Sequence, residues 1–358
     1  MNWEDNVRRV VPYVAGEQPK EQNVIKLNTN ECPYPPAPGV AEVLHGFDCD
    51  ILRKYPDPDV SLLVRALARR QGLSDRQVFV GVGSDDVLAM SFLTFFNSGK
   101  PILFPDITYS FYDVWADLYR IPYQCQPLDD NFRIRKEDYF RENGGIVIAN
   151  PNAPTGVAVP LSELEEIVRT NPDSVVIIDE AYVDFGGESC VPLIEKYDNL
   201  LVVQTFSKSR SMAGMRIGYA MGNERMIGYL NDVKFSFNSY TMSAVSIAAG
   251  AASAADETYF RDTVAKVVAT RERVRGELDK LGFICTDAKT NFLFVSHRTI
   301  PAREIFEALK AEKIYVRFWD KPRISNCLRI SIGTDEEMDR VLAFLEAYTG
   351  GRKDETHL

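Results

Sequence analysis

Residues 175–185, VVIIDEAYVDF, and 200–220, LLVVQTFSKSRSMAGMRIGYA, decide how this chain is read. Val175 to Ile178 and Leu200 to Val203 are apolar without alternation. That pattern suits strands buried on both faces, as in a parallel sheet covered by helices. Each run stops at a group with chemistry. Asp179 follows directly on the first. A buried carboxylate needs a partner, so it either caps a helix or meets a cation in the sheet crevice. Tyr182, three residues on, offers a hydroxyl to a neighbouring oxygen. Lys208 follows the second run in a Ser/Thr-rich loop, with Arg210 and Arg216 close by in sequence. Such surroundings make a lysine amine nucleophilic, whereas a solvated basic loop is the plainer alternative. Thr205, Ser207 and Arg216 suit a phosphate, as hydroxyl donors and a forked guanidinium.

Two further loops have the same setting. Val78 to Val80 predicts a strand that runs into GVGSDDVL, residues 81–88, where a helix opens at Ser84. Backbone N–H groups at a helix start favour an anion, although a tight turn capped by Ser84 explains the motif equally well on its own. Ile146 to Ile148 predicts a strand ending in NPNAPTG, residues 150–156, a rigid loop that offers Asn150 or Asn152 to an anionic oxygen. Ile102 to Phe104 is another strand, and Tyr109 to Tyr119 and Ser61 to Gln71 read as helices. Ser162 to Glu165 and Thr334 to Glu337 have capping-box spacing, which places helix starts there. Met215 to Ala220 and Ile314 to Phe318 read as strands, and Glu257 to Leu281 as a long helix. These shifts divide the chain into a proline- and asparagine-rich arm over 1–40, a large α/β domain over 41–255 and a smaller α+β domain over 256–358. The polar end, GGRKDETHL, is expected to fray.

Composition excludes several classes. The chain has 358 residues, 45% hydrophobic and 26% charged, which is globular rather than disordered or fibrous. Its net charge of −10 argues against non-specific nucleic-acid binding. No apolar run is long enough to span a membrane, and the start, MNWEDNVRRVVPY, has no signal-peptide core. Six scattered cysteines without a CxxC pair read as reduced thiols in a cytoplasmic protein. Three widely separated histidines predict neither a metal site nor a histidine-based triad.

All four loops lie at the carboxyl ends of predicted strands, so they can converge. Together they supply a phosphate cradle, an amide and a tyrosine for an oxygen, a carboxylate for a cationic ring nitrogen, and an amine. Pyridoxal 5′-phosphate asks for that set, with Lys208 forming the Schiff base. DEAY, then SK, then an arginine eight residues on resembles the fold-type I aminotransferases. LNTNECPYPP, KYPDPD, GVGSDDVL, PDITYSFY, NPNAPTG and CLRISIGT, spread over nearly the whole chain, are similar to the histidinol-phosphate aminotransferase branch of that family.

The resemblance implies roles residue by residue. Lys208 holds the cofactor and shuttles the proton. Asp179 pairs with the pyridine nitrogen, and Tyr182 and Asn152 contact the phenolic oxygen. Ser84, Asp85, Thr205, Ser207 and Arg216 bind the phosphate. Tyr109 stacks on the ring, and Tyr55 reaches the cofactor of a second copy, which requires a homodimer. Ala153 departs from the pattern, because asparagine is common before Pro-Thr-Gly in the family. Arg317 and Arg329 suit a dianionic phosphate or a carboxylate, and Tyr13 and Asn30 belong to a lid over the substrate. Arg323, between the two arginines, is left without a role. The implied reaction passes the amino group between L-histidinol phosphate and 2-oxoglutarate, giving imidazole-acetol phosphate and glutamate. The competing readings are an aromatic amino-acid aminotransferase, a threonine-phosphate decarboxylase and a cofactor-binding protein without turnover.

Overall fold

Leu200 and Val202 point into one apolar core, whereas Leu201 and Val203 point into another. That division explains the unbroken apolar run: successive strand residues face opposite sides, and here both sides are covered. A charge at Val202 would lose the roughly 1.5–3 kcal/mol that burying such a side chain contributes, and would add an unpaired ion.

The computed structural model describes residues 2–355. Seven strands make the main sheet: β1 (Val78–Gly81), β2 (Ile102–Pro105), β3 (Tyr123–Gln126), β4 (Ile146–Ala149), β5 (Val176–Asp179), β6 (Leu200–Thr205) and β7 (Gly218–Met221). They lie in the order β1-β7-β6-β5-β4-β2-β3, all parallel except β7. Helices α1 (Pro38–His45), α2 (Ser61–Gln71), α5 (Leu161–Thr170) and α7 (Ala244–Ala255) cover one face; α3 (Ser84–Phe95), α4 (Tyr112–Tyr119) and α6 (Glu224–Phe237) cover the other. Since β1, β4, β5 and β6 run the same way, their carboxyl ends share one edge. The four loops picked out in the sequence all leave from that edge.

A second, antiparallel sheet has the order β10-β11-β9-β8, from β8 (Phe283–Cys285), β9 (Phe292–His297), β10 (Arg317–Phe318) and β11 (Leu328–Ser331). It packs with α8 (Glu257–Lys280), α9 (Ala302–Ala311) and α10 (Asp335–Glu355) around its own core. The arm joins this unit, because Ile25–Lys26 pairs in parallel with Ile314–Tyr315.

Several local expectations change. The Ser162 box does not form: α5 begins at Leu161, and the Pro160 carbonyl accepts from the Glu163 and Leu164 amides. Proline's fixed φ suits that entry, which leaves Ser162 inside the first turn. At Thr334 the box is present, with Glu337 N–H donating to Thr334 Oγ1 (3.2 Å) and Thr334 N–H to Glu337 Oε2 (2.8 Å). Helix α4 starts at Tyr112, leaving Tyr109 in the loop that precedes it. Residues 213–215 form a 3₁₀ turn and Arg216 takes a left-handed φ of 51°, so β7 starts only at Gly218. The expected strand over 314–318 is split between two ladders. Helix α10 continues through Glu355, and the rest of the tail expected to fray lies outside the described residues. Among the described residues no helix is long and apolar enough to cross a membrane.

Candidate active site

Asp179 ends β5 with its carboxylate enclosed. Oδ2 accepts from the Tyr112 hydroxyl (2.8 Å) and Oδ1 from the Ala181 amide (3.2 Å), which is a local turn and not a helix cap. Burial pushes this carboxyl up to about 6, against the opposing pull of those two hydrogen bonds. The chain thus keeps a carboxylate where its charge is costly unless a cation arrives. Tyr112, fully buried on α4, was not singled out in the sequence. Burial and the adjacent Asp179 charge hold its phenol well above the ordinary range, so it stays a donor.

Lys208 follows β6 and lines both of two adjoining cavities of about 460 Å³ each. Its Nζ donates to the Thr29 carbonyl (3.0 Å) and lies 5.7 Å from the centre of the Tyr182 ring. Tyr13, Thr29, Tyr109, Ala153 and Tyr182 line both cavities too, so the two are halves of one site.

Beside Lys208 the chain forms a polar cradle. Helix α3 opens with Ser84 as its first residue, and the cap is Gly83 at φ 88°, not the Ser84 side chain. A Cβ at Gly83 would strike the Arg216 guanidinium, and one at Gly218 would strike the Gly83–Ser84 backbone, so both glycines are required by close approach. Arg216 donates to Ser207 Oγ (3.4 Å) and pairs loosely with Asp85 (3.5 Å). Thr205 Oγ1 donates to Ser207 Oγ (3.1 Å), and the Tyr109 hydroxyl donates to Asp85 (2.7 Å). Ser84, Asp85, Thr205, Ser207 and Arg216 are therefore brought together with Asp179 and Lys208 around one cavity.

The opposite wall comes from the arm and the small sheet. Arg329 on β11 is half-buried, donates to the Asn28 carbonyl (2.9 Å), and lies 5.2 Å from the ring centres of both Phe292 and Trp319. Among the described residues its Nε has no hydrogen-bond partner, and desolvation lowers its pKa. Arg317 is half-buried over Trp319 and reaches the Val14 carbonyl (3.4 Å). Tyr13 stacks on Phe111 at 4.1 Å. Asn30 lines the wall with its side chain bonded to Tyr182 and Ser331. Arg323 has a structural task, donating to Asp106 (2.9 Å) and to the Leu128 and Asp129 carbonyls (2.8 Å each).

One placement is corrected. Asn152 does not turn to the cavity. Its amide donates to the Ile107 carbonyl and Thr155 Oγ1, and its oxygen accepts from Thr108, so its capacity is spent bracing the loop. Asn150 is likewise engaged with Val159. Pro151, Ala153 and Pro154 face the site in their stead. Tyr55 lies outside these cavities, 81% exposed and stacked on Tyr240.

Comparison with known proteins agrees with this geometry. Residues 22–345 match the family model described as aminotransferase class I and II. The histidinol-phosphate aminotransferase of Lactococcus lactis subsp. cremoris is 56% identical over 97% of this chain and 98% of its own length. That of Acinetobacter baylyi is 50% identical over 97% of each. The crystal structure of the Sinorhizobium meliloti histidinol-phosphate aminotransferase in complex with pyridoxal 5′-phosphate superposes with a TM-score of 0.83, at 26% identity over 91% of both chains. A buried carboxylate, an amine and a glycine-bounded anion cradle on one sheet edge are what such an enzyme needs, and by sequence the chain belongs to the histidinol-phosphate aminotransferases within the class I and II aminotransferases.

Proposed function

We propose that the chain passes an amino group between L-histidinol phosphate and 2-oxoglutarate, giving imidazole-acetol phosphate and glutamate in histidine biosynthesis, with pyridoxal 5′-phosphate as cofactor. The observation that carries this is a two-part cavity holding the Lys208 amine, the buried Asp179 carboxylate and the Arg329 guanidinium, neither of the last two having an oppositely charged partner among the described residues.

The residues present fit the cofactor. The cradle bounded by Gly83 and Gly218 has the donors a phosphate needs, in Arg216, Ser207, Thr205 and the amides that open α3. A protonated ring nitrogen beside Asp179 supplies the cation that offsets its desolvation. When bound, pyridoxal phosphate supplies an electron sink for the charge left on the substrate's Cα.

The chain's own residues do the rest. Lys208 would hold the cofactor through its amine and, once the substrate amine takes that place, would move the proton at Nζ from the substrate's Cα to the carbon the lysine had held. Asp179, steadied by Tyr112, keeps the ring nitrogen protonated. Tyr182 would donate to the ring oxygen, and Tyr109, which lines both cavities, would bear on the ring. Arg329, with Arg317 nearer solvent, takes the substrate phosphate in one half-reaction and a carboxylate in the other. Tyr13 and the 28–31 segment cover the substrate and exclude water. Tyr55, solvent-exposed beside Tyr240, serves a second copy's cradle in a homodimer. The six free thiols suit a reducing compartment, so we place the enzyme in the cytoplasm.

The test is spectroscopic. The purified protein is expected to show a visible absorbance band that histidinol phosphate bleaches and 2-oxoglutarate restores. A band bleached by phenylalanine and not by histidinol phosphate moves the assignment to an aromatic aminotransferase. Carbon dioxide release independent of 2-oxoglutarate moves it to a decarboxylase.

A further inference from the structure

Asn30 sits at a tight turn in the arm, in the left-handed region at φ 56°, a conformation asparagine adopts more readily than most residues. The turn is fastened from the small sheet: Ser331 N–H donates to the Leu27 carbonyl (3.0 Å), and Asn291 Nδ2 donates to the Asn30 carbonyl (2.9 Å). Within it the Asn30 amide N–H donates to Ser331 Oγ (2.9 Å), and Ser331 Oγ donates to Asn30 Oδ1 (3.0 Å). A hydroxyl has one proton. Ser331 gives its proton to Oδ1, which turns Asn30 Nδ2 toward the Tyr182 hydroxyl, 2.9 Å away. An amide nitrogen only donates, so the Tyr182 oxygen accepts and its own proton is left for another acceptor. Tyr182 faces both cavities beside Lys208, whose Nζ is held by the carbonyl of the preceding turn residue, Thr29. Asn30 and Ser331 are each 1% exposed, so water does not compete for these bonds. Asn150 and Asn152, the nearby amides of the right type for the same oxygen, are engaged inside their loop.

We propose that Asn30 and Ser331 are positioning residues that fix the direction of the Tyr182 hydroxyl, presenting its proton to an oxygen anion in the cavity. The inference rests on the function proposed above, with the ring oxygen of pyridoxal phosphate as that anion. The arm thereby does more than cover the site: docking on the small sheet sets the polarity of a donor on the large one.

The test uses the holoenzyme and reads the pH midpoint at which its visible band changes. A proton donated to the ring oxygen stabilises its anionic form, so the midpoint lies lower with the donation than without it. Asn30→Asp replaces the donor with an acceptor of the same shape and draws the Tyr182 proton away. The midpoint is expected to rise by about one pH unit, about tenfold in proton affinity, as Tyr182→Phe also raises it. In the Tyr182→Phe background Asn30→Asp is expected to add little. An equal rise in both backgrounds would mean that the new charge acts through space, and would overturn the proposal; so would an unmoved midpoint. Ser331→Ala gives a milder reading with the same logic: a rise with Tyr182 present and none with Tyr182→Phe. If the Asn30→Asp chain does not fold, Ser331→Ala decides alone. Wild-type protein without any visible band after addition of the cofactor overturns the function reading itself, whereas a band with an unresponsive midpoint overturns this inference alone.

Discussion

The floor and the roof of the cavity hold their functional groups in different ways. On the floor, Asp179, the α3 start and the loop bearing Lys208 follow strands whose residues are all buried, and two glycines are forced by close backbone contact. On the roof, Tyr13 and Arg317 are half-buried, and the arm before Tyr13 is exposed throughout the described residues. Arg329 is half-buried as well, but its Nε is closed off from solvent and its guanidinium lies against two aromatic rings. A group placed by a buried strand end costs little further entropy to order, whereas a group on an exposed arm is ordered largely by what binds beneath it. The floor therefore suits a resident cofactor, and the roof suits substrates that alternate.

Substitutions break or sharpen that contrast. Lys208→Ala should lower transamination at least about 10³-fold, since among the described residues no other amine lines the floor beside Asp179; near-normal turnover would sink the assignment. Removal of the roof cation that packs against two aromatic rings comes next. Arg329→Ala should raise KM for both substrates by roughly 10–100-fold with kcat less affected, and a rise confined to one half-reaction would show separate anion sites.

The floor makes a prediction about pH. Folding raises the Asp179 carboxyl from 3.8 to about 6 and the neighbouring Glu180 carboxyl from 4.5 to about 7, by burial. The folded chain then binds these protons more tightly than the unfolded chain does. Cofactor-free protein should lose stability as pH rises from about 4 through about 7. Asp179→Asn should remove its share, of the order of 3 kcal/mol, while weakening cofactor binding; thermal melts of both cofactor-free forms from pH 4 to 8 read it out. Equal slopes in the two would mean that Asp179 is not strained. Tyr112→Phe deletes one hydrogen bond to that carboxylate, and a roughly fivefold to tenfold loss in kcat/KM is expected, with weaker cofactor retention measured by dialysis. Arg317→Ala should have the smallest effect, a few-fold in KM that fades in high salt, because Arg317 is half-buried and screened. An effect as large as that of Arg329→Ala would erase the distinction between the two roof arginines.

Much of the floor was legible because strand ends are. Unbroken apolar runs marked β4, β5 and β6, and the residues just past them had to lie on one edge once the strands were parallel. Side-chain partnership was not legible in this way. Asn152 looked like a free amide in a proline-bound loop, yet Ile107, Thr108 and Thr155 consume it. The Ser162 pattern failed because the helix is capped at Pro160, two residues earlier. Tyr112 meets Asp179 across 67 residues, and no local pattern announces that bond.

What the sequence determined by itself was the chemistry on offer and its order along the chain: an amine, a carboxylate, glycines and arginines, each tied to a short-range pattern of strand, turn and helix. Only the tertiary structure decided which of these groups remain unpaired. Ser331 reaches Asn30 across 301 residues, and through it the Tyr182 hydroxyl is given its direction. Hydrogen-bond capacity is short-ranged and exhausted by whichever neighbours folding supplies, so residue type alone cannot say which groups are left for a ligand.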